Sequence, residues 1–288
     1  MSDEVEWKIG EWLWDQRDNV AKKLQQLYQW FRSKKTGGID SGPGILIVGA
    51  GGVGKTTFGG FLSNQFDLLA NPPGEYVESL KVEKVVLPKG EDDEETAEAV
   101  IPPGQEHRRD ATWSELLSKV AAGMFRGIIL ISAYGYHSLG NISFKKHRLY
   151  PQNRGKNKFL QAFLEDRRND ELRVLEQLVP HLKTNPEKLW FLSLISKQDL
   201  WWSNRIEVKD HYENGSYGQQ IRQILQHCGS PRFRHEFVYG SFVIGNFITG
   251  VRELLQPNTA SYDHHEYVQS LRRLFEAIDA LREWESQQ

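Results

Sequence analysis

The sequence is short of several things. Its 288 residues contain one cysteine, Cys228, so no intramolecular disulfide can form and a reducing compartment fits. No run approaches the ~18 consecutive apolar residues that would suggest a membrane-spanning helix. Ser2, Asp3, Glu4 and Glu6 do not make the basic start and apolar centre of a secretory signal. The expectation is a soluble, cytoplasmic chain with no transmembrane segment. A formal net charge of −2 leaves no global attraction for nucleic acid or acidic lipid, so any electrostatic role must be local. The histidines (among them His137, His147, His211, His227 and His235) show no zinc-like spacing with cysteine. No Ser/His/Asp hydrolase motif and no internal repeat occurs. A chain of this length can still bury a sizeable core.

Residues 5–35 read as one long helix. Ile9, Leu13, Gln16, Val20, Leu24, Leu27 and Phe31 recur at three- and four-residue steps, and all but Gln16 are apolar. Trp7, Trp12, Trp14 and Trp30 add aromatic bulk. Such a helix either packs on its own domain or offers a docking surface, with a protein partner favoured over a membrane because acids and bases mix on its polar face. Gly, Ser and Pro mark 33–44 as a linker, so the division expected is 1–43, a helical extension and linker, and 44–288, the main domain.

From residue 45 strands and helices alternate. Strands are expected at 45–48, 127–132, 189–195 and 236–242. A hairpin is expected between 82–87 and 96–101, and helices at 56–66, 112–122, 158–182, 218–227 and 262–285. In the last helix Val268, Leu271, Phe275, Ile278 and Leu281 form a one-sided stripe. This order implies an α/β fold of three layers: a mostly parallel sheet, helices on both faces, and a ligand site beyond the strand C-termini.

Gly49-Ala50-Gly51-Gly52-Val53-Gly54-Lys55-Thr56, followed by Thr57, fits G-x-x-x-x-G-K-[ST] and sits between a strand and a helix, where the mechanism needs it. Small residues let the backbone curl so that consecutive N–H groups converge on phosphate oxygens, and the helix N-terminus adds partial positive charge. Lys55 would reach the β- and γ-phosphates; Thr56 would place its hydroxyl on Mg²⁺.

The base is read further along. The strand 189–195 runs into Ser196-Lys197-Gln198-Asp199. A carboxylate at Asp199 can accept from guanine's N1–H and N2–H₂, whereas adenine would offer it a lone pair. Sites that must satisfy a buried polar group reject the wrong partner by roughly 10⁴-fold. The Lys197 stem would lie along the base plane. K-x-D alone means little, and its weight comes from following a buried strand; the alternative is a solvated turn in which Asp199 caps the next segment.

Together "GAGGVGKTT" and "SKQD" resemble the phosphate loop and the guanine-reading Asn/Thr-Lys-x-Asp signature of Ras-like, small-GTPase-type P-loop GTPases, a class related to translation factors. "PPGQEHRRD" at 102–110 resembles the family's Asp-x-x-Gly-Gln-Glu switch. The resemblance spans roughly 44–285 and implies GTP/GDP and Mg²⁺ as ligands. It also implies that Gly104 senses the γ-phosphate through its N–H, that Gln105 orients the attacking water, and that Ser241 supports the base loop. The switch metal-ligand position falls to Ser79.

The switch motif departs from the family at Ile101, where an aspartate would hold Mg²⁺ through water. The acidic run Glu91–Glu95 could substitute or be a solvated hairpin tip. Pro102 and Pro103 stiffen the segment. Arg108 and Arg109 could form an internal finger, but pairing with surface acids or partners is the commoner fate of such arginines.

A basic insertion around 134–158 carries Lys145, Lys146, Arg148, Arg154 and Lys156, with Lys158 at its end, interleaved with Tyr134, Tyr136, Phe144 and Tyr150. It suggests an acidic protein partner, with nucleic acid possible but not favoured. The leading expectation is a GTP-dependent switch with slow or partner-stimulated hydrolysis. The alternatives are a degenerate G domain that keeps nucleotide as a structural cofactor and acts as a scaffold, or an ATP-dependent signalling NTPase.

Overall fold

A computed structural model describes residues 44–62, 81–86 and 98–287. The N-terminal helix, its linker to residue 43, Ser79 and the acidic run Glu91–Glu95 lie outside the described residues.

Six strands form one sheet in the order β2-β3-β1-β4-β5-β6. They are β1 (Ile45–Gly49), β2 (Glu83–Val86), β3 (Glu98–Ile101), β4 (Gly127–Ser132), β5 (Leu189–Ile195) and β6 (Phe233–Tyr239). Only β2 is antiparallel, pairing with β3 as the expected hairpin, while β1 runs parallel to both β3 and β4, and β5 parallel to β4 and β6. Every residue of β1, β4 and β5 is buried, as a parallel sheet covered on both faces requires.

The helices are α1 (Lys55–Leu62), α2 (Glu106–Ala121), α3 (Lys156–Thr184), α4 (Gln198–Trp201), α5 (Arg205–Glu213), α6 (Ser216–Cys228) and α7 (His264–Ser286). The stripe of α7, from Val268 through Leu271, Phe275 and Ile278 to Leu281, is wholly buried. Phe275 meets Phe61 of α1 at 5.9 Å, which puts α1 and α7 in one layer. Helix α3 packs on both α2 and α6. Asp263 caps α7 by accepting from Glu266 N at 2.9 Å, and His264 and His265 are exposed at its start.

Several boundaries differ from the expectation. Helix α2 starts at Glu106, six residues earlier than expected, so "EHRR" of the switch motif is its first turn. The last strand lies at 233–239 rather than 236–242. As an edge strand, β6 buries only Phe233 and Val238, so its apolar signal is weak. The stronger cluster "FVIG" belongs to the next loop, where Phe242 stacks on Phe58 of α1 at 5.2 Å. A small hairpin, β7 (Phe247–Ile248) with β8 (Leu254–Gln256), follows that loop, and it and the short helices α4 and α5 were not expected.

Candidate nucleotide site

The chain leaves β1 at Gly49 (φ +152°), and Gly52 (φ +77°) and Gly54 (φ +105°) also have positive φ, a conformation open to glycine at little cost. At Gly52 a side chain would also strike the Ser138 backbone, 2.6 Å from its nitrogen. Lys55 is the first residue of α1, and its Nζ donates to the carbonyls of Gly49 (3.0 Å) and Ala50 (2.9 Å). Burial, aided by the charge of Arg109, lowers its pKa to about 7. Thr56 is exposed at the helix start.

The base-side motif is buried rather than solvated. Ser196 Oγ is placed to donate to Val53 O (2.7 Å) and Ser132 O (2.9 Å). Lys197, in the left-handed region at φ +57°, donates through Nζ to Gly52 O (2.9 Å) and Tyr136 O (2.5 Å). Its pKa falls to about 8 through burial. Asp199 is 2% exposed. It accepts from Ser241 Oγ at 2.6 Å and Gly245 N at 3.0 Å, while its own N–H donates to Ser241 Oγ at 3.0 Å. Burial raises its pKa, against the pull of those bonds. The reading of Asp199 as a cap on a solvated turn is therefore overturned: its carboxylate is fixed by the loop after β6.

These groups line one cleft of about 650 Å³. Gly52 to Thr57, Gly104, Gln105, Lys197 and Asp199 all contribute, and the β7–β8 hairpin lines it as well. That hairpin is tied down by Gly250 N donating to Gly140 O (2.9 Å). Glu253 also accepts from Ser143 Oγ (2.8 Å) and Phe144 N (3.0 Å). The stretch after β4 thus forms the wall of the cleft. Its Tyr134, Tyr136 and Phe144 are buried and Tyr150 packs against Phe144 at 5.6 Å, whereas Lys145, Lys146, Arg154, Lys156 and Lys158 are exposed. The rings serve the core and are not presented as a stacking platform.

The segment around Gly104 and Gln105 lies against the 49–55 loop. A side chain at Gly104 would fall 2.2 Å from Lys55 Nζ and 2.4 Å from Gly49 O, and one at Gly51 would come 3.2 Å from Gln105 Cγ. Ile101 is fully buried, with its Cδ1 against Gly59 of α1. Its partner across the β2–β3 ladder is Glu83, an acid whose charge reaches Lys55.

Arg109 is not a surface arginine. It is 2% exposed, donates from Nη1 to Gly104 O at 2.9 Å, and pairs with Asp170 of α3 at 2.5 Å. Next to it Glu171 accepts from Ala133 N (2.8 Å), Gly135 N (3.1 Å), His137 Nε2 (2.8 Å) and Tyr212 Oη (2.5 Å). Sequence reasoning missed this acidic pair. A signal existed: positions 170 and 171 fall in register with Phe163, Val174 and Leu178 on the buried face of α3, where an unpaired acid would be too costly to keep.

No family model matches the chain, and no curated protein does. Among solved structures it is similar to the signal recognition particle receptor SRb-GTP/SRX complex from Chaetomium thermophilum, at 14% identity and TM-score 0.44, over 71% of this chain and 93% of that one. The mammalian SRP receptor gives 14% identity and TM-score 0.38, over 83% and 99%. An ADP-ribosylation-factor-like protein, the small COPII coat GTPase SAR1 from Encephalitozoon cuniculi in complex with GDP, gives 10% and 0.33, over 96% of each chain. Independently of these distant likenesses, the strand order, the parallel pairing around β1 and the loop at its end give the chain the α/β fold of Ras-like P-loop GTPases.

Proposed function

We propose that the chain binds a guanine nucleotide, with its phosphates on the 49–56 loop and its base against Asp199, and acts as a nucleotide-dependent switch whose GTP hydrolysis is slow or partner-stimulated. The observation that carries this reading is the fixed, buried carboxylate of Asp199 in the same cleft as Lys55. Each carboxylate oxygen has two lone pairs, and one bond from Ser241 or Gly245 leaves capacity for guanine's N1–H and N2–H₂. Ionised, the carboxylate repels an adenine lone pair.

The residues also fit Mg²⁺ in part. Magnesium keeps several waters and is usually held by one or two carboxylates together with substrate phosphates. Thr56 supplies a hydroxyl at the helix start. Among the described residues no three acids, histidines or cysteines gather to hold a metal, and Ile101 gives it nothing. Bound, the metal would neutralise charge on the β- and γ-phosphates. For hydrolysis, Gln105 lies over Gly51, where it can orient water, and the Gly104 N–H can contact the γ-phosphate. Protein partners would engage the N-terminal extension or the exposed lysines at 145–158.

A second reading, a scaffold that keeps nucleotide as a structural cofactor, draws on Ile101, a core residue where a metal-holding acid is expected. The deciding experiment titrates fluorescent GTP and ATP analogues, with and without Mg²⁺, against wild type and Asp199→Ala. Tight guanine binding lost in the variant supports the proposal. ATP binding as good or better, indifferent to Asp199, sinks it. If guanine binds, single-turnover hydrolysis with Gln105→Ala separates switch from scaffold.

A further inference from the structure

Segment 102–113 has the sequence of a switch and is fastened like a core element. Three ties hold it. Trp113 Nε1 donates to Pro103 O at 3.0 Å, joining the start of the segment to the second turn of α2. Arg109 Nη1 donates to Gly104 O at 2.9 Å. The same guanidinium pairs at 2.5 Å with Asp170, a residue 61 positions away on α3, with both side chains at most 3% exposed. Pro102 and Pro103 remove backbone freedom just before Gly104. The backbone at Gly104 is thereby pressed against Lys55 and the Gly49 carbonyl, with no room for a methyl group.

We infer that Arg109 and Asp170 are positioning residues that clamp Gly104 against the phosphate loop, so that this segment keeps one arrangement whether or not a γ-phosphate is bound. The inference rests on the guanine-nucleotide reading above. Its consequence is a change in how the two nucleotide states differ. A mobile switch must be ordered when the γ-phosphate arrives, and that ordering consumes part of the binding energy. A clamped one has its Gly104 N–H in place beforehand, so the triphosphate gains that contact without the cost. The wild type therefore prefers triphosphate to diphosphate, and this segment does not report which one is bound.

Arg109→Met cuts the clamp without stranding a buried charge. In Arg109→Met the Asp170 carboxylate keeps Arg173 at 3.5 Å and Arg167 at 3.9 Å. Asp170→Asn provides a second variant that leaves the arginine in place. The test combines amide hydrogen exchange over residues 102–116 of the full chain, loaded with GDP or GTPγS, with the affinity of each nucleotide. In wild type the exchange is slow and agrees within about twofold between the two nucleotides. In Arg109→Met it rises about tenfold with GDP. The GTPγS-to-GDP preference drops about tenfold, and GDP affinity stays within about twofold. Asp170→Asn moves both readouts the same way.

Wild-type exchange that is tenfold faster with GDP than with GTPγS would overturn the inference. So would an unchanged preference in both variants, or an equal loss of both affinities, since a merely structural pair gives that result. Failure of either nucleotide to bind would sink the guanine reading instead. The clamp would still be tested by slow exchange of this segment in the wild type and its loss in the variants.

Discussion

Ser196 Oγ lies 2.7 Å from the carbonyl oxygen of Val53, so the residue that opens the Ser-Lys-Gln-Asp motif also holds the glycine-rich loop after β1. The two halves of the site are one unit, joined further by Lys197 on Gly52 O at 2.9 Å. Both Ser196 and Val53 are buried. Replacing Ser196 by alanine removes the side-chain donor of the buried Val53 carbonyl, while Ser132 O keeps the Ser196 N–H at 2.7 Å; one unsatisfied buried carbonyl costs about 1–3 kcal/mol. Ser196→Ala is expected to lower stability by that amount in urea unfolding and to weaken binding of phosphate-bearing nucleotides together with the base. A loss confined to base selectivity would contradict the coupling.

Adjacent glycines of the loop are expected to respond differently. Gly52→Ala combines a positive φ of +77° with a Cβ 2.6 Å from the Ser138 nitrogen, so it should distort the loop and abolish nucleotide binding. Gly51→Ala meets only Gln105, with Cγ at 3.2 Å and ordinary backbone beneath it. It should bind nucleotide within a few-fold of wild type and hydrolyse it more slowly, because Gln105 must give way. Titration and single-turnover hydrolysis on the pair check this; equal turnover in Gly51→Ala and wild type would remove Gln105 from the chemistry.

What the sequence made legible follows from how far apart the cooperating residues lie. The glycine-rich loop is eight consecutive residues, and the Ser196–Asp199 motif is four at the end of an apolar strand, so pattern alone marked both as candidates. Ser241 was reached through resemblance, and its bond to Asp199 is 2.6 Å. The clamp was invisible because Arg109 and Asp170 meet only after α2 packs on α3. The hairpin β7–β8 was missed for a different reason: two short strands with exposed Ile248 and Leu254 have no periodicity to read. In the region after β4 the sequence interleaves rings with basic residues, and only the fold shows Tyr134, Tyr136 and Phe144 turned inward. The Trp-rich N-terminal stripe lies outside the described residues.

Glu171 should be the most sensitive acid in the domain for stability. One carboxylate accepts from two backbone N–H groups, from His137 and from Tyr212. Burial opposes its charge, yet the bonds from His137, Tyr212 and Ala133 hold its pKa below the usual range. A depressed carboxylate stabilises the fold above its unfolded value of 4.5 and loses that contribution as pH falls through the folded value. Glu171→Ala is expected to cost about 3–5 kcal/mol, the range for removing one partner of a buried charged network. Chemical unfolding of both proteins measures it. In a scan below about pH 4.5 the stability of wild type should fall more steeply than that of the variant. Parallel slopes would show that Glu171 is not ionised in the fold.

The pH dependence of nucleotide binding should report Lys55. Burial brings its pKa from 10.5 to about 7; a phosphate placed beside the ammonium favours the charged form and raises it again. Binding above pH 7 then requires proton uptake, and affinity should fall by up to about tenfold per pH unit until the raised value is reached. The sign for folding is opposite. Between about 7 and 10.5 the folded chain binds fewer protons than the unfolded one, so stability without nucleotide rises with pH across that window. Isothermal titration of a GTP analogue at about pH 6 and pH 8.5, in buffers of different ionisation heat, separates the two cases. Proton uptake at the higher pH alone, lost in Lys55→Met if residual binding allows it to be read, is the expected result. Lys197, lowered to about 8, donates to the carbonyls of Gly52 and Tyr136 and on the proposed reading lies along the base, so Lys197→Met should leave the uptake in place. An affinity flat from pH 6.5 to 9, with no buffer-dependent heat, would mean that Lys55 is not the residue that meets the phosphates.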